Sequence, residues 1–233
     1  MNIGIIGTGN MGRTLGLLWA ELGHQVLFGA RTPDSARAAL AIGERLGATT
    51  RARMSAGTND EAAAFGQLVY YSPRDVAPAA VLSSPSLLDG KVVVDSTNGP
   101  VPPGFDFAPI ARSRSELLQV QLPRAKVVKA WNTMAQEVFE LCPDLIRAAR
   151  VSVYVASDFD DARAAVMELA RTMGFEPVDC GPLPSARMLE GLGDFIRTVI
   201  INRREVYATI SVHVLEHPAR PPRFGERTPS RLS

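Results

Sequence analysis

The chain has 233 residues, 46% of them hydrophobic, and a formal net charge of +1. That length suits one large domain, or one domain with a smaller lobe, and the near-zero charge argues against nucleic acid as the main partner. The two cysteines, Cys142 and Cys180, are far apart and lack metal-ligand spacing, so they read as free thiols in a reducing compartment.

The first stretch, "NIGIIG" from Asn2 to Gly7, is a short apolar run suited to a buried parallel strand. A helical pattern follows from Asn10 to Leu22, with Leu15, Leu18, Trp19 and Leu22 on one face and Gly23 as its stop. His24-Gln25 then leads into a second strand, Val26-Leu27-Phe28. The whole is one strand–helix–strand unit of about 30 residues, the size of a crossover pair.

The alternation continues. The pattern predicts a helix over Ser35 to Leu46, a short third strand in "ATTRARM" and a short helix in "NDEAAAF" opened by Asn59 or Thr58. Further strands are expected in "LVYYS", "KVVVDSTN" and "KVVKAWN". A proline-rich loop (Pro100, Pro102, Pro103, Gly104) and a helix from Ser113 to Leu122 separate the last two. "VSVYVAS" and "FEPVDC" read as two more strands flanking the helix "DDARAAVMELARTMG". This alternation predicts an α/β fold, a Rossmann-type doubly wound parallel sheet.

From Ser185 to about His217 the pattern becomes one long helix or two joined ones, with Met188, Leu189, Leu192, Phe195, Ile196, Val199 and Ile200 at three- and four-residue steps. The expected division is a dinucleotide-binding domain over 1–182 and a smaller helical lobe with a polar tail over 183–233. The lobe's apolar surface predicts a homodimer. The apolar run "FIRTVIINRREVY" is broken by Arg197, Arg203, Arg204 and Glu205, whereas a membrane span needs about 20 mostly apolar residues. Met1 leads almost directly into a strand, so no signal peptide is expected, and the expected location is the cytoplasm.

"GTGNMG" matches G-x-G-x-x-G at Gly7, Gly9 and Gly12, in the context that gives the motif weight: it leaves a strand and opens a helix. Gly7 permits the tight turn, Gly9 lets a pyrophosphate approach, and Gly12 lets helix and strand pack closely. The helix N-terminus supplies free amides and a partial positive charge. At the end of the second strand, where an acid would bind an unmodified ribose, stand Gly29, Ala30 and Arg31. A cation there favours a 2′-phosphate, hence NADP over NAD. Thr32 and Ser35 add hydroxyls, and Arg37 is a second candidate cation.

Four stretches, "IGIIGTGNMGRTL", "VLFGAR", "KVVKAWNTM" and "GFEPVDCGPLPSARMLE", make the chain resemble the NADPH-dependent reductases of the deazaflavin coenzyme F-420. The cytosolic reductase domain of the six-transmembrane ferric reductases is a related member. The resemblance implies that the backbone of Thr8, Gly9, Asn10 and Met11 holds the pyrophosphate and that Arg31 holds the 2′-phosphate. It implies that Ser72 and Pro73 border the nicotinamide riboside and that Asn132, Thr133 and Met134 line the nicotinamide. The chain departs from the family at Ala30, where Ser is frequent, at Arg74, where an apolar residue is expected, and in its long polar tail.

No acid–base set stands out beside these positions, and no metal site. His24 belongs to the other end of the sheet, and His213 and His217 to the last helix. Lys129 lies inside a strand, and Asp95 at a strand end suits a turn cap. Hydride transfer between two rings needs no protein acid, because the cofactors carry the chemistry. The expected activity is therefore hydride transfer between NADPH and F-420 or a flavin, with Met188, Leu189 and Leu192 as a wall for the planar acceptor. The alternatives are an NADPH-dependent imine or carbonyl reductase, which needs a proton donor from Tyr70, Tyr71, Asp95 or the tail, and a non-catalytic NADP(H)-sensing module.

Overall fold

The computed structural model describes residues 1–43 and 45–214. Strands β1 (Asn2–Ile6) and β2 (Gln25–Ala30) are joined by helix α1 (Asn10–Glu21). Helices α2 (Pro33–Gly43) and α3 (Ala48–Arg51) lead to β3 (Met54–Thr58), and α4 (Asn59–Phe65) leads to β4 (Leu68–Tyr71). Then come β5 (Val92–Asp95), α5 (Arg114–Gln121) and β6 (Lys126–Lys129). These strands form one parallel sheet in the order β3-β2-β1-β4-β5-β6. The order reverses between β1 and β4, so the carboxyl ends of those strands flank a crevice, the ligand position of such sheets.

The chain continues through α6 (Gln136–Phe139) and α7 (Pro143–Ala148) to β7 (Ser152–Val155), α8 (Asp160–Thr172), β8 (Glu176–Asp179) and α9 (Ala186–Arg203). Strands β7 and β8 do not extend the main sheet as the alternation suggested. They pair with each other, and a single antiparallel bridge, Lys129 with Ala156, joins them to β6. That bridge is antiparallel, so the chain beyond β7 runs against β6 and does not continue its parallel ladder.

Both faces of the main sheet are covered. One core cluster gathers Ile3, Ile5, Phe28 and Val94 with Trp19 of α1 and Val166 of α8. The other gathers Ile6, Val69, Val93 and Val127 with Ala63 of α4 and Leu118 of α5. Each fully buried Ile or Val contributes about 1.5–3 kcal/mol, which fixes the register that carries the strand ends. Trp19 anchors the first cluster. Its ring meets Tyr70 and Trp131 edge-on, and its Nε1 donates to Met173 Sδ at 3.3 Å.

Two local expectations are corrected and one open choice is decided. "ATTRARM" is not a strand: Gly47 opens a helical turn over Ala48–Arg51, and β3 starts at Met54. The last helix ends at Arg203, because Arg204 turns left-handed at φ 55°, and His213 lies in the irregular segment beyond it. His217 and the tail lie outside the described residues. Of the two candidates for opening α4, Thr58 is the cap, in a reciprocal capping box with Glu61. Among the described residues no helix is long and apolar enough to cross a membrane.

Candidate functional site

The site begins at the turn from β1 into α1. Gly7 sits at φ 89°, a conformation side-chain-bearing residues rarely adopt, and its amide bonds Gly29 O at 3.2 Å. A Cβ on Gly12 would lie 2.3 Å from Gly7 O, so the helix packs this closely only with glycine. A Cβ on Gly9 would meet nothing within 4 Å; this side of the loop is open to a ligand. Helix α1 has no side-chain cap and no acid in its first turn. The free amides at Asn10 and Met11 and the helix dipole therefore face an anion.

A cleft of about 680 Å³ runs from this turn. It is lined by Gly7, Thr8 and Gly9, by Ala30, Arg31, Thr32 and Ser35 at the end of β2, and by Ser72 and Pro73 after β4. These expected cofactor residues thus meet in one cavity, and among the described residues no carboxylate lines it. The Thr32 and Ser35 hydroxyls are 2.8 Å apart, and Thr8 Oγ1 donates to Ser35 O at 3.3 Å. Arg31 is exposed, and among the described residues it makes no ion pair. Arg37, the other candidate cation, is engaged by Asp34 at 2.5 Å.

Asn59 was not expected here. It is buried at the start of α4, lines the same cleft and donates from Nδ2 to Val81 O at 3.1 Å. Its Oδ1 is buried without a partner, an acceptor available to a bound molecule. The only signal in the sequence was a polar residue just past the carboxyl end of a strand. The uncapped amides and the open glycine fit a dinucleotide phosphate, and the orphaned acceptor fits a donor on the same ligand, such as a ribose hydroxyl.

Asn132, Thr133 and Met134 are buried and do not line this cleft. Asn132 Nδ2 donates to Asn98 Oδ1 and to Leu189 O, both at 2.8 Å, and Asn98 Nδ2 donates back to Asn132 O at 2.6 Å. The pair joins the loops after β5 and β6 to α9. Asn132 Oδ1 and Trp131 Nε1 are buried without partners, and Trp131 is held at φ 56°. Such strain persists only where the surroundings enforce it.

Behind these loops lies a buried ionic cluster. Lys129 Nζ donates to Glu190 Oε1 at 2.9 Å, to Asp95 Oδ2 at 3.1 Å and to Thr97 O. Asp95 also caps its turn, accepting from the Thr97 amide at 2.9 Å and from Ser115 at 2.6 Å. Burial would raise the Asp95 carboxyl, but Lys129, Ser115 and Thr97 together hold it below the ordinary value. Burial pushes the Glu190 carboxyl up against the pull of Lys129. Asp95 therefore has the turn-capping role expected of it and an ionic one besides. Glu190 escaped notice because its partners are distant in sequence.

The proposed acceptor wall is split. Met188 is 79% exposed, whereas Leu189 is 5% exposed and packs with Tyr154 and Ala156, with Leu192 against the same cluster. A helix turns about 100° per residue, so neighbours cannot share one face. Met188 instead lines a groove of about 510 Å³ with Phe107, Pro109, Ile110 and Phe195. Among the described residues no cluster could hold a metal ion.

Residues 2–99 match the family model described as NADP oxidoreductase, coenzyme F420-dependent. The matched residues hold the phosphate turn, the end of β2 and the Ser72-Pro73 loop. The similarity to individual relatives runs further along the chain than the family match does. The chain is 27% identical over 220 residues to the F420-dependent NADP reductase of Methanothermobacter marburgensis, covering 88% of this chain and 94% of the relative. It is 27% identical over 190 residues to metalloreductase STEAP3 of Rattus norvegicus, covering 82% of this chain and 36% of the relative. The chain thus spans little more than a third of that metalloreductase. A solved structure of a putative F420-dependent NADP reductase from Arthrobacter sp. FB24 superposes with a TM-score of 0.75 at 25% identity, over 91% of this chain and 99% of that one.

Proposed function

We propose that the chain is an NADP(H)-dependent oxidoreductase that passes hydride between NADPH and a deazaflavin, coenzyme F-420, or a flavin. The observation that carries the reading is the junction of the uncapped α1 N-terminus with the acid-free end of β2. There Arg31, with no ion pair among the described residues, stands beside the Thr32 and Ser35 hydroxyls. In this reading the Gly9, Asn10 and Met11 amides bind the pyrophosphate. Arg31, Thr32 and Ser35 bind the 2′-phosphate, and Ser72 and Pro73 border the riboside. The cofactor, when bound, supplies the hydride; the chain's own residues bind, orient and exclude water.

The pairing of the candidate acids supports a transfer between rings over an imine or carbonyl reduction, which needs a proton donor at the reacting atom. Tyr70 is buried and shares its hydroxyl with Ser96, and Tyr71 donates to Val76 O at 2.5 Å. Burial pushes both phenols well above their ordinary value, and Lys129 engages Asp95. In this reading the apolar groove at Met188, Phe107 and Phe195 takes the planar acceptor. We further propose a homodimer in which a second copy covers the exposed face of α9. Mixing the protein with NADPH and, in turn, F-420, FMN and FAD while following acceptor absorbance tests the activity. Turnover with at least one is expected, and none with any of the three would remove the proposal.

A further inference from the structure

The cluster at Asp95, Lys129 and Glu190 sets two carboxylates against one ammonium, a formal charge of −1, in side chains no more than 4% exposed. The other charged side chains joining α9 and α5 to these loops are matched one to one. Arg187 pairs with Glu116, Arg197 with Asp194 and Arg114 with Asp75. Arg74 is exposed to solvent, where its field is screened. Among the described residues, this cluster sets two buried carboxylates against a single buried ammonium.

Geometry does not require that charge. The bonds Glu190 Oε1 accepts, from Lys129 Nζ and from the Arg114 amide at 2.8 Å, could equally be accepted by a glutamine amide oxygen. A second buried carboxylate costs desolvation that a neutral isostere avoids. Its position is tied to the nicotinamide-side loops. The Thr97 carbonyl is held by Lys129, and Leu189, the neighbour of Glu190, accepts from Asn132, which pairs with Asn98.

We propose that Asp95, Lys129 and Glu190 form an electrostatic positioning cluster that favours the oxidised, cationic nicotinamide over the reduced, neutral one. Resting on the NADP(H) reading above, this makes NADPH a readier hydride donor on the protein than in water. The cause is elementary. Losing hydride leaves a positive charge on the ring, and a fixed negative charge shielded from water stabilises it, while the neutral form gains almost nothing.

Glu190→Gln and Asp95→Asn each remove one negative charge on a different element; the glutamine can keep both accepted bonds, whereas the asparagine turns its amide nitrogen toward donors that one Asp95 oxygen accepts from. Dissociation constants of NADP⁺ and NADPH are measured by calorimetry for wild type and both variants at roughly pH 8, well above the ordinary carboxylate range. Thermal unfolding confirms that each variant folds; if one does not, the other carries the measurement. The expected result is that NADP⁺ binding weakens about threefold to tenfold while NADPH changes less than about twofold. Equal weakening of both forms, or an unchanged ratio, would overturn the charge role and leave cofactor binding intact. A wild-type protein that binds neither form would overturn the NADP(H) reading itself.

Discussion

In the proposed reading Arg31 carries the choice of cofactor. If it binds the 2′-phosphate, Arg31→Ala removes a charge-assisted hydrogen bond worth about 1.5–3 kcal/mol, so NADPH should weaken about tenfold to a hundredfold while NADH stays nearly unchanged. The change belongs in KM, because the phosphate is remote from the hydride and binds equally in ground and transition states. Steady-state kinetics with each cofactor reads this directly, and equal losses for both would show that Arg31 only stacks on adenine. Gly12 is a sharper steric case. A Cβ there would sit 2.3 Å from the Gly7 carbonyl, so Gly12→Ala should lower the melting temperature and abolish the shift that NADPH produces in the wild type. An unchanged thermal shift would contradict the close packing of turn and helix. Both positions were legible in the sequence because each belongs to local geometry, a strand end and a turn. Asn59 and Glu190 were not, because only the fold brings Asn59 to the cleft and sets Glu190 against Lys129 of a distant strand.

Helix α5 shows how an element is fixed between others. Its N-terminus is closed by a capping box of Ser113 and Glu116, and Glu116 also bonds Arg187 of α9 through both carboxylate oxygens. The Arg187 guanidinium, with the Ser113 donors, holds the Glu116 carboxyl at about 2 against an ordinary 4.5. A depressed folded-state value means that this stabilisation is complete above pH 4.5 and is lost as the pH falls toward 2. Glu116→Gln should therefore flatten the acid limb of the stability curve between those values, as urea unfolding across that range would show; a parallel curve would assign the shift to other groups. Five of the six strands of the main sheet, all but β3, and most of the helices around them were readable from alternating apolar runs and glycine stops. "ATTRARM" misled because its β-branched threonines favour a strand by propensity, while Gly47 and the packing around it impose a helical turn. The separate pairing of β7 and β8 left no local trace, since direction within a sheet is decided by the connection and not by the strand.

At the scale of the whole molecule, α9 is held to the strand-end loops by Asn132, Lys129 and Arg197, whose Nη1 donates to Gly99 O at 2.5 Å. It leaves Met188, Phe195 and Ile201 each at least half exposed. Apolar surface of this kind is ordinarily covered, so light scattering at micromolar concentration should give the mass of a dimer, and a monomer would contradict the proposed assembly. A partner over α9 would also close the groove at Phe107 and Met188 from outside, shielding hydride from water. The central claim is that hydride passes directly from one ring to the other with no exchangeable protein acid between them. Its most direct test is a single turnover with NADPH deuterated at the transferring face of nicotinamide C4 and F-420 as acceptor, analysed by mass spectrometry. Direct transfer predicts one deuterium retained on the reduced deazaflavin; a reduced acceptor without the label would contradict it.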